Sequence, residues 1–254
     1  MREALKKLYL IELRRQWTVG TIFIPISLLI LSGLTLLITA KTSKVYNITN
    51  AGAMANLSLV VPLAACLFAV GAIAGDVREH WLRTVLIRPI SRQQYLLIKL
   101  AAVYTSVVLT IVVAGILPNI IIAEYVAKGE VQFNLGLYLS THGLILLQAL
   151  LLLALLMFFS CWVPGVMNVV VLGGWGIAAS GIGAYLQLSY WSDKWFTILR
   201  DYLFPSGFSD AIEAITAGKG APVAQMLWGL GALAVSLALA FWSITKIQVD
   251  KSSE

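Results

Sequence analysis

Apolar and polar positions separate into long blocks along this chain. Charge-free runs cover Gln16–Ala40, Val45–Gly75, Leu100–Ala123, Val131–Ser192 and Ala221–Thr245. A helix needs roughly 20 apolar residues to cross about 30 Å of hydrocarbon, and every run meets that length. The fourth is long enough for two crossings. Ser160-Cys-Trp-Val-Pro-Gly165 interrupts it with a sequence suited to a tight turn, from which Pro164 opens the next helix. The pattern predicts six transmembrane helices, near 18–39, 57–75, 97–123, 135–159, 164–187 and 222–245, in one all-α integral membrane domain over 1–254.

Shorter periodic segments lie between the runs. Residues 1–17 predict an interfacial helix, with Ala4, Leu5, Leu8 and Ile11 on one stripe and Arg2, Lys6, Lys7 and Arg14 off it. In the outer loop 188–221, Trp191, Trp195, Ile198, Leu199, Tyr202 and Leu203 recur at three and four residues. Ser192 can cap that helix and Pro205-Ser-Gly207 ends it. A second short helix can start at Ser209-Asp210 and stop at Gly218. The density of Trp and Tyr predicts that this loop dips into the outer leaflet.

Composition fits this picture. The chain is 59% hydrophobic and only 12% charged, with a mean hydropathy of +0.88, where soluble domains carry about twice that share of charge. Its six spans place both ends on one side, with twelve of the 18 Lys and Arg residues; the other six face six acidic residues. The positive-inside rule then places the termini in the cytoplasm, with the first helix retained rather than cleaved. The net charge of +6 reads as a topology signal for the cytoplasmic (inner) membrane, with no nucleic-acid partner implied. Cys66 and Cys161 imply neither a disulfide framework nor a zinc site. Asn47-Ile-Thr and Asn56-Leu-Ser match the glycosylation triplet only as chance would allow.

Charge concentrates between the second and third spans, where Gly75–Lys99 holds Asp76, Arg78, Glu79, Arg83, Arg88, Arg92 and Lys99. Asp76–Ile87 scans as an amphipathic helix. Val77, Trp81, Leu82, Val85 and Leu86 form its apolar stripe, and Arg78, Glu79, His80 and Arg83 lie off it. Pro89 stops the helix, and Ser91-Arg-Gln-Gln94 has the capping-box pattern that starts the third span. In the fifth span Gly176, Ser180 and Ala184 sit four apart, a spacing that lets helix backbones approach closely in lipid. That face serves either a neighbouring span or a second subunit.

The island resembles the loop between the second and third spans of ABC-2 type permeases, the membrane subunits of ABC exporters. The matching residues are Gly75, Asp76, Pro89, Ser91, Arg92 and Lys99, while His80-Trp81 stands where that family carries Gly-Thr. The six-span plan, the basic N-terminal helix and Leu203-Phe-Pro-Ser-Gly-Phe208 extend the likeness over most of the chain. The resemblance implies a permease subunit whose residues 76–92 form a coupling helix docked on a separate ATPase. Trp81, Leu82 and Val85 would be the apolar anchors, with Glu79, Arg83 and Arg88 at the rim. It also implies a unit of two permeases, copies or paralogues, and two ATPases. The chain has no Gly-x4-Gly-Lys-[Ser/Thr] phosphate loop. ATP and Mg would thus be held by the partner, with no cofactor and no hydrolysis on this subunit.

Two other classes are weaker. An ion-coupled carrier or channel wants an ionisable group at mid-membrane. The spans offer only His142, near the outer end of the fourth, where it is expected to meet headgroups. Ala178-Ala-Ser-Gly181 resembles the Gly-x-Ser-Gly of rhomboid proteases, with Ser180 as nucleophile and His142 as base. However, its first Gly is Ala, and His precedes Ser, the reverse of that family's order. Charge-free spans point weakly to a lipophilic or amphipathic cargo.

Overall fold

A computed structural model describes residues 2–86, 90–127, 130–163, 166–188, 207–220 and 223–247. The chain begins with α1 (Arg2–Gln16) and α2 (Val19–Thr42), followed by the short strand β1 (Val45–Asn47). Then come α3 (Ile48–Ala55), a π-helical turn (Asn56–Val60), α4 (Val61–Ala69), α5 (Ala72–Arg78) and α6 (Trp81–Leu86). α7 (Arg92–Thr110) runs through a second π turn (Ile111–Ile116) into α8 (Leu117–Tyr125), and β2 (Glu130–Gln132) follows. The remainder is α9 (Leu135–Ser160), α10 (Met167–Leu188), α11 (Gly207–Thr216) and α12 (Val223–Lys246).

This is an all-α membrane protein with, among the described residues, five stretches long and apolar enough to cross a bilayer: Thr21–Thr42, Ile48–Arg78, Arg92–Tyr125, Leu135–Ser160 and Val223–Lys246. α10, predicted as the fifth of six spans, is an apolar helix in its described part but is not one of these five. The helices start where the sequence supplies caps. Ser91 accepts from the Gln94 amide at 3.1 Å while Gln94 Oε1 accepts from the Ser91 amide at 3.0 Å, closing the predicted capping box. Asn47 and Asn134 cap α3 and α9 by accepting from the backbone amides of Asn50 and Leu137.

α9 forms the centre. Ile145, Ala149, Leu151 and Leu153–Met157 are buried against α4, α7, α10, α11 and α12. Strand pairing, which hydropathy did not predict, joins Val45–Asn47 in parallel to Glu130–Gln132 and so ties two inter-span loops together at one end of the bundle. Side-chain donors to backbone carbonyls mark the two ends of the bundle. Asn50 donates to the Thr216 carbonyl at the strand end, and Arg92 reaches the Thr245 and Ile247 carbonyls at the other, where the charged island lies.

Both π turns have a stated cause. Each lies just before a proline, Pro62 and Pro118, whose ring removes a helical donor and crowds the preceding turn. Ser32 donates its hydroxyl to the Ala114 carbonyl, the group that Pro118 leaves without its helical donor. The predicted helix within 209–218 is α11, and it does more than skirt the bundle. Phe208, Ala211 and Ile212 are buried, and the Phe208 ring lies where a side chain at Gly229 would be. The companion helix predicted over 191–203 lies outside the described residues.

Candidate functional site

The charged island folds differently from the single helix that its periodicity predicts. Asp76 belongs to α5, which continues the second span, and α6 is separate. Between them His80 takes φ +55°, a left-handed conformation that side chains rarely adopt, and breaks the helix. The two pieces therefore direct their side chains independently.

α5 carries Asp76 inward to meet α1 and α7. Asp76 and Lys99 are each 3% exposed and Glu12 of α1 is 0% exposed. Lys99 Nζ lies 2.8 Å from Asp76 Oδ2 and 2.9 Å from Glu12 Oε2, bridging the two carboxylates. Arg15 reaches Asp76 at 3.0 Å, Glu79 at 3.3 Å and Glu12 at 3.4 Å. Tyr95 donates its hydroxyl to Asp76 Oδ2, the oxygen that also faces Lys99. Trp81 donates its indole N–H to Glu12 at 2.6 Å, while the Arg15 guanidinium sits 4.7 Å from the Trp81 ring centroid. Burial pulls the Arg15 pKa down, but the adjoining Asp76 and Glu12 carboxylates outweigh it, and the net shift is upward. The result is an ionic clamp in which each buried charge faces opposite charges, the condition under which burying them is tolerable.

Several residues assigned to a partner-facing groove are used inside the chain. Leu82 and Val85 are 1% and 3% exposed and belong to this chain's own core, so they cannot anchor a separate subunit without unpacking. Trp81 is half-buried and bonded to Glu12. The exposed face consists of Arg78, Glu79, His80, Arg83 and Thr84. Gly75 leaves open space beside its Cα, Ser91 is spent on capping, and Arg92 holds the end of α12. Arg88 and Pro89 lie outside the described residues.

Glu12 and Arg15 are the site residues that the sequence reading missed. A signal was present. Leu5, Leu8, Tyr9 and Glu12 fall on one helical face, and that face is buried, while Ile11 of the predicted stripe is exposed. A carboxylate in register with a buried stripe calls for a buried cation, and Lys99 was the cation at the head of an apolar run.

Just above the clamp the second span is broken. Gly71 takes φ +56°, separating α4 from α5 inside a charge-free run. Fully buried Asn168 bridges the gap, donating to the Ala69 carbonyl at 2.9 Å and accepting from the Gly71 amide at 3.3 Å. Ser160 accepts from the Ile73 and Ala74 amides at 2.9 and 3.2 Å. Ser160, read as the start of a turn, is the last residue of α9 and also satisfies a neighbouring helix end. Cys161 beside it has its thiol pushed up to about 12 by burial, which makes it a poor nucleophile.

A second polar layer lies toward the strand end. Tyr46 donates to Asn119 Oδ1 at 2.7 Å, and Asn119 donates to the Ile48 carbonyl at 2.7 Å. Asn56 lies in the first π turn, against Gly115 of the second. His142, expected among headgroups, is 7% exposed; its ring packs 4.0 Å from that of Tyr138, and Nδ1 is 2.9 Å from the Tyr138 carbonyl. Helix packing on all sides, rather than depth, decides its environment. In α10, Gly176 is half-buried, while the side chains of Ser180 and Ala184 lie outside the described residues. Among the described residues no group of His, Cys, Asp and Glu is placed to hold a metal ion.

No curated protein matches the chain. A family model covers residues 23–249, nearly all of the spans and the whole island, and the chain belongs to that family, described as protein of unknown function (DUF2705).

Proposed function

We propose that this chain is the permease subunit of an ATP-binding cassette exporter in the cytoplasmic membrane, working with a separate ATPase subunit. In this reading α10 completes a set of six spans, and the island end of the bundle faces the cytoplasm with both termini. The exposed side of α10 receives a second permease copy or paralogue. The carrying observation is that Asp76 and Lys99, two residues of the ABC-2-like motif, close the ionic clamp on Glu12 and Arg15. A load applied to α6 would reach α1 through Trp81 and Glu12, and α7 through Lys99. That connection suits transmission of a push from a partner into the spans. ATP and Mg belong to the partner, and the cargo would be lipophilic or amphipathic.

The partner would read the exposed face of Glu79, His80, Arg83 and Thr84, with Leu82 and Val85 holding that face in place from behind. The test is co-purification with a phosphate-loop ATPase encoded beside this gene. Arg83→Glu/Thr84→Glu should abolish retention of the ATPase while the permease still folds, because reversing one charge and adding another destroys electrostatic complementarity with the partner. An undiminished complex in that variant, or no complex with the native chain, overturns the proposal.

The burial of His142 supports one second reading, an ion-coupled carrier. Its Nε2 has no hydrogen-bond partner among the described residues, and buried ionisable groups within membranes are costly. Proton uptake into proteoliposomes that is lost in His142→Gln would favour it, and no proton flux with the native chain would dismiss it.

A further inference from the structure

A cavity of about 800 Å³ opens beside the broken second span, a size within the roughly 300–1,000 Å³ of small-molecule sites. Its walls come from α4 and α5, from the end of α9 and the residues between it and α10, with Arg15 and Gln16 of α1, Lys99 of α7 and Ile247 closing the rest. The two ends differ in chemistry. One is apolar, lined by Leu67, Phe68, Val70, Val163 and Val166. Leu67, Val70 and Val166 are also exposed, so that end continues onto the outer surface of the bundle.

The other end carries Arg15, Asp76, Arg78, Glu79 and Lys99. Their charges are not equally available. Lys99 is held by Glu12 and Asp76, and Arg15 by Asp76, Glu12 and Glu79. Arg78, exposed at the end of α5, has no ion pair among the described residues. An apolar recess with one uncommitted guanidinium at its charged rim is complementary to an amphiphile with an anionic group at the headgroup level. Basic pockets between membrane helices hold lipid headgroups on the same electrostatic grounds, and a planar guanidinium matches phosphate oxygens two at a time.

We propose that this cavity binds a phospholipid, with its phosphate on Arg78 and an acyl chain lying along Leu67, Val70 and Val166. The break at Gly71 makes room for it, since Asn168 and Ser160 satisfy the backbone groups that the break frees. This inference does not depend on the ABC reading, because lipid occupancy is measured with no ATPase present.

Native mass spectrometry of the full chain, purified in detergent and stripped of loosely held lipid, tests it. The native chain should retain one phospholipid, and Arg78→Gln should lower the retained fraction at least tenfold. Gly75→Leu should do the same by filling the cavity, since Gly75 lines it and a side chain there meets open space. Should Gly75→Leu fail to fold, Arg78→Gln decides alone, because Arg78 is exposed. Once the native chain has been delipidated further, until that phospholipid is lost, added dioleoyl phosphatidylglycerol should restore the bound species; diacylglycerol and inorganic phosphate should not. Binding of diacylglycerol to the same extent would overturn the role of Arg78. Equal saturation of the site by inorganic phosphate would overturn the lipid. A native chain without a stoichiometric phospholipid, or an Arg78→Gln variant that keeps one, would overturn the whole proposal.

Discussion

Lys99 shows how much one residue carries. Its ammonium group is the cation that both Glu12 and Asp76 face at under 3 Å. Lys99→Met would leave two buried carboxylates sharing Arg15, whose side chain is about a third exposed. Breaking a buried pair on one side typically costs about 3–5 kcal/mol, whereas replacing both partners with apolar groups is often near neutral. Lys99→Met should therefore lower the unfolding midpoint in detergent sharply, and Glu12→Leu/Lys99→Met should recover most of the loss. A single variant as stable as the native chain would mean that the clamp contributes nothing. At the same scale, Gly115 shows a constraint of space. A Cβ there would overlap the amide of buried Asn56, so Gly115→Ala should cost about 1–3 kcal/mol, as overpacked cores do. Gly115→Ala/Asn56→Ala should be less damaging than the sum of the two single changes, because touching residues are not additive. Simple additivity in thermal denaturation would place the two residues apart.

Helices were far more legible from the sequence than their interruptions. Hydropathy located the five candidate spans because burial in lipid demands long apolar runs, and the Ser91–Gln94 box fixed the start of α7 because capping is local chemistry. The break at Gly71 lay hidden inside a charge-free run, and its partners Asn168 and Ser160 are about 90 residues or more away. Side-chain periodicity carries no trace of so distant a hydrogen bond. The same limit hid the clamp. Asp76 and Lys99 were visible as motif residues, but their meeting with Glu12 depends on how α1 lies along α7, which the Tyr9–Thr105 hydrogen bond of 2.9 Å helps to fix. The apolar stripe on α6 was legible, but not what it packs against, since a buried face looks alike whether its own chain or a partner covers it. Asn168→Leu tests the break directly. It removes the acceptor for Gly71 N–H and the donor for Ala69 C=O, and each unsatisfied buried group costs about 1–3 kcal/mol. We expect a marked loss of thermal stability, with Asn168→Gln intermediate. Native stability in Asn168→Leu would show that other groups satisfy the break.

Across the whole molecule, polar chemistry gathers in layers toward the two ends of the bundle, and the layers differ in kind. The island end holds formal charges locked in pairs, whereas the strand end holds neutral amides, hydroxyls and one imidazole around two proline-induced π turns. Charges paired tightly near an interface resist being pulled apart, which suits a part that passes on force. Asn56 Oδ1 and Thr141 Oγ1 are buried in that layer with no hydrogen-bond partner among the described residues, a cost that the paired charges at the island end do not bear. This asymmetry gives the orientation proposal a direct test in whole cells. In a Cys66→Ser/Cys161→Ser background, single cysteines at the exposed positions Lys6 and Arg83 should be shielded from an impermeant thiol reagent applied outside. Those at exposed Val45, Glu130 and Lys219 should react. The two sets lie at opposite ends of the bundle, so one membrane must separate them whichever way the protein inserts. Labelling of Arg83→Cys from outside would put the island in the wrong compartment to meet ATP, and with it the coupling role would fall while the clamp and the lipid cavity stood unchanged.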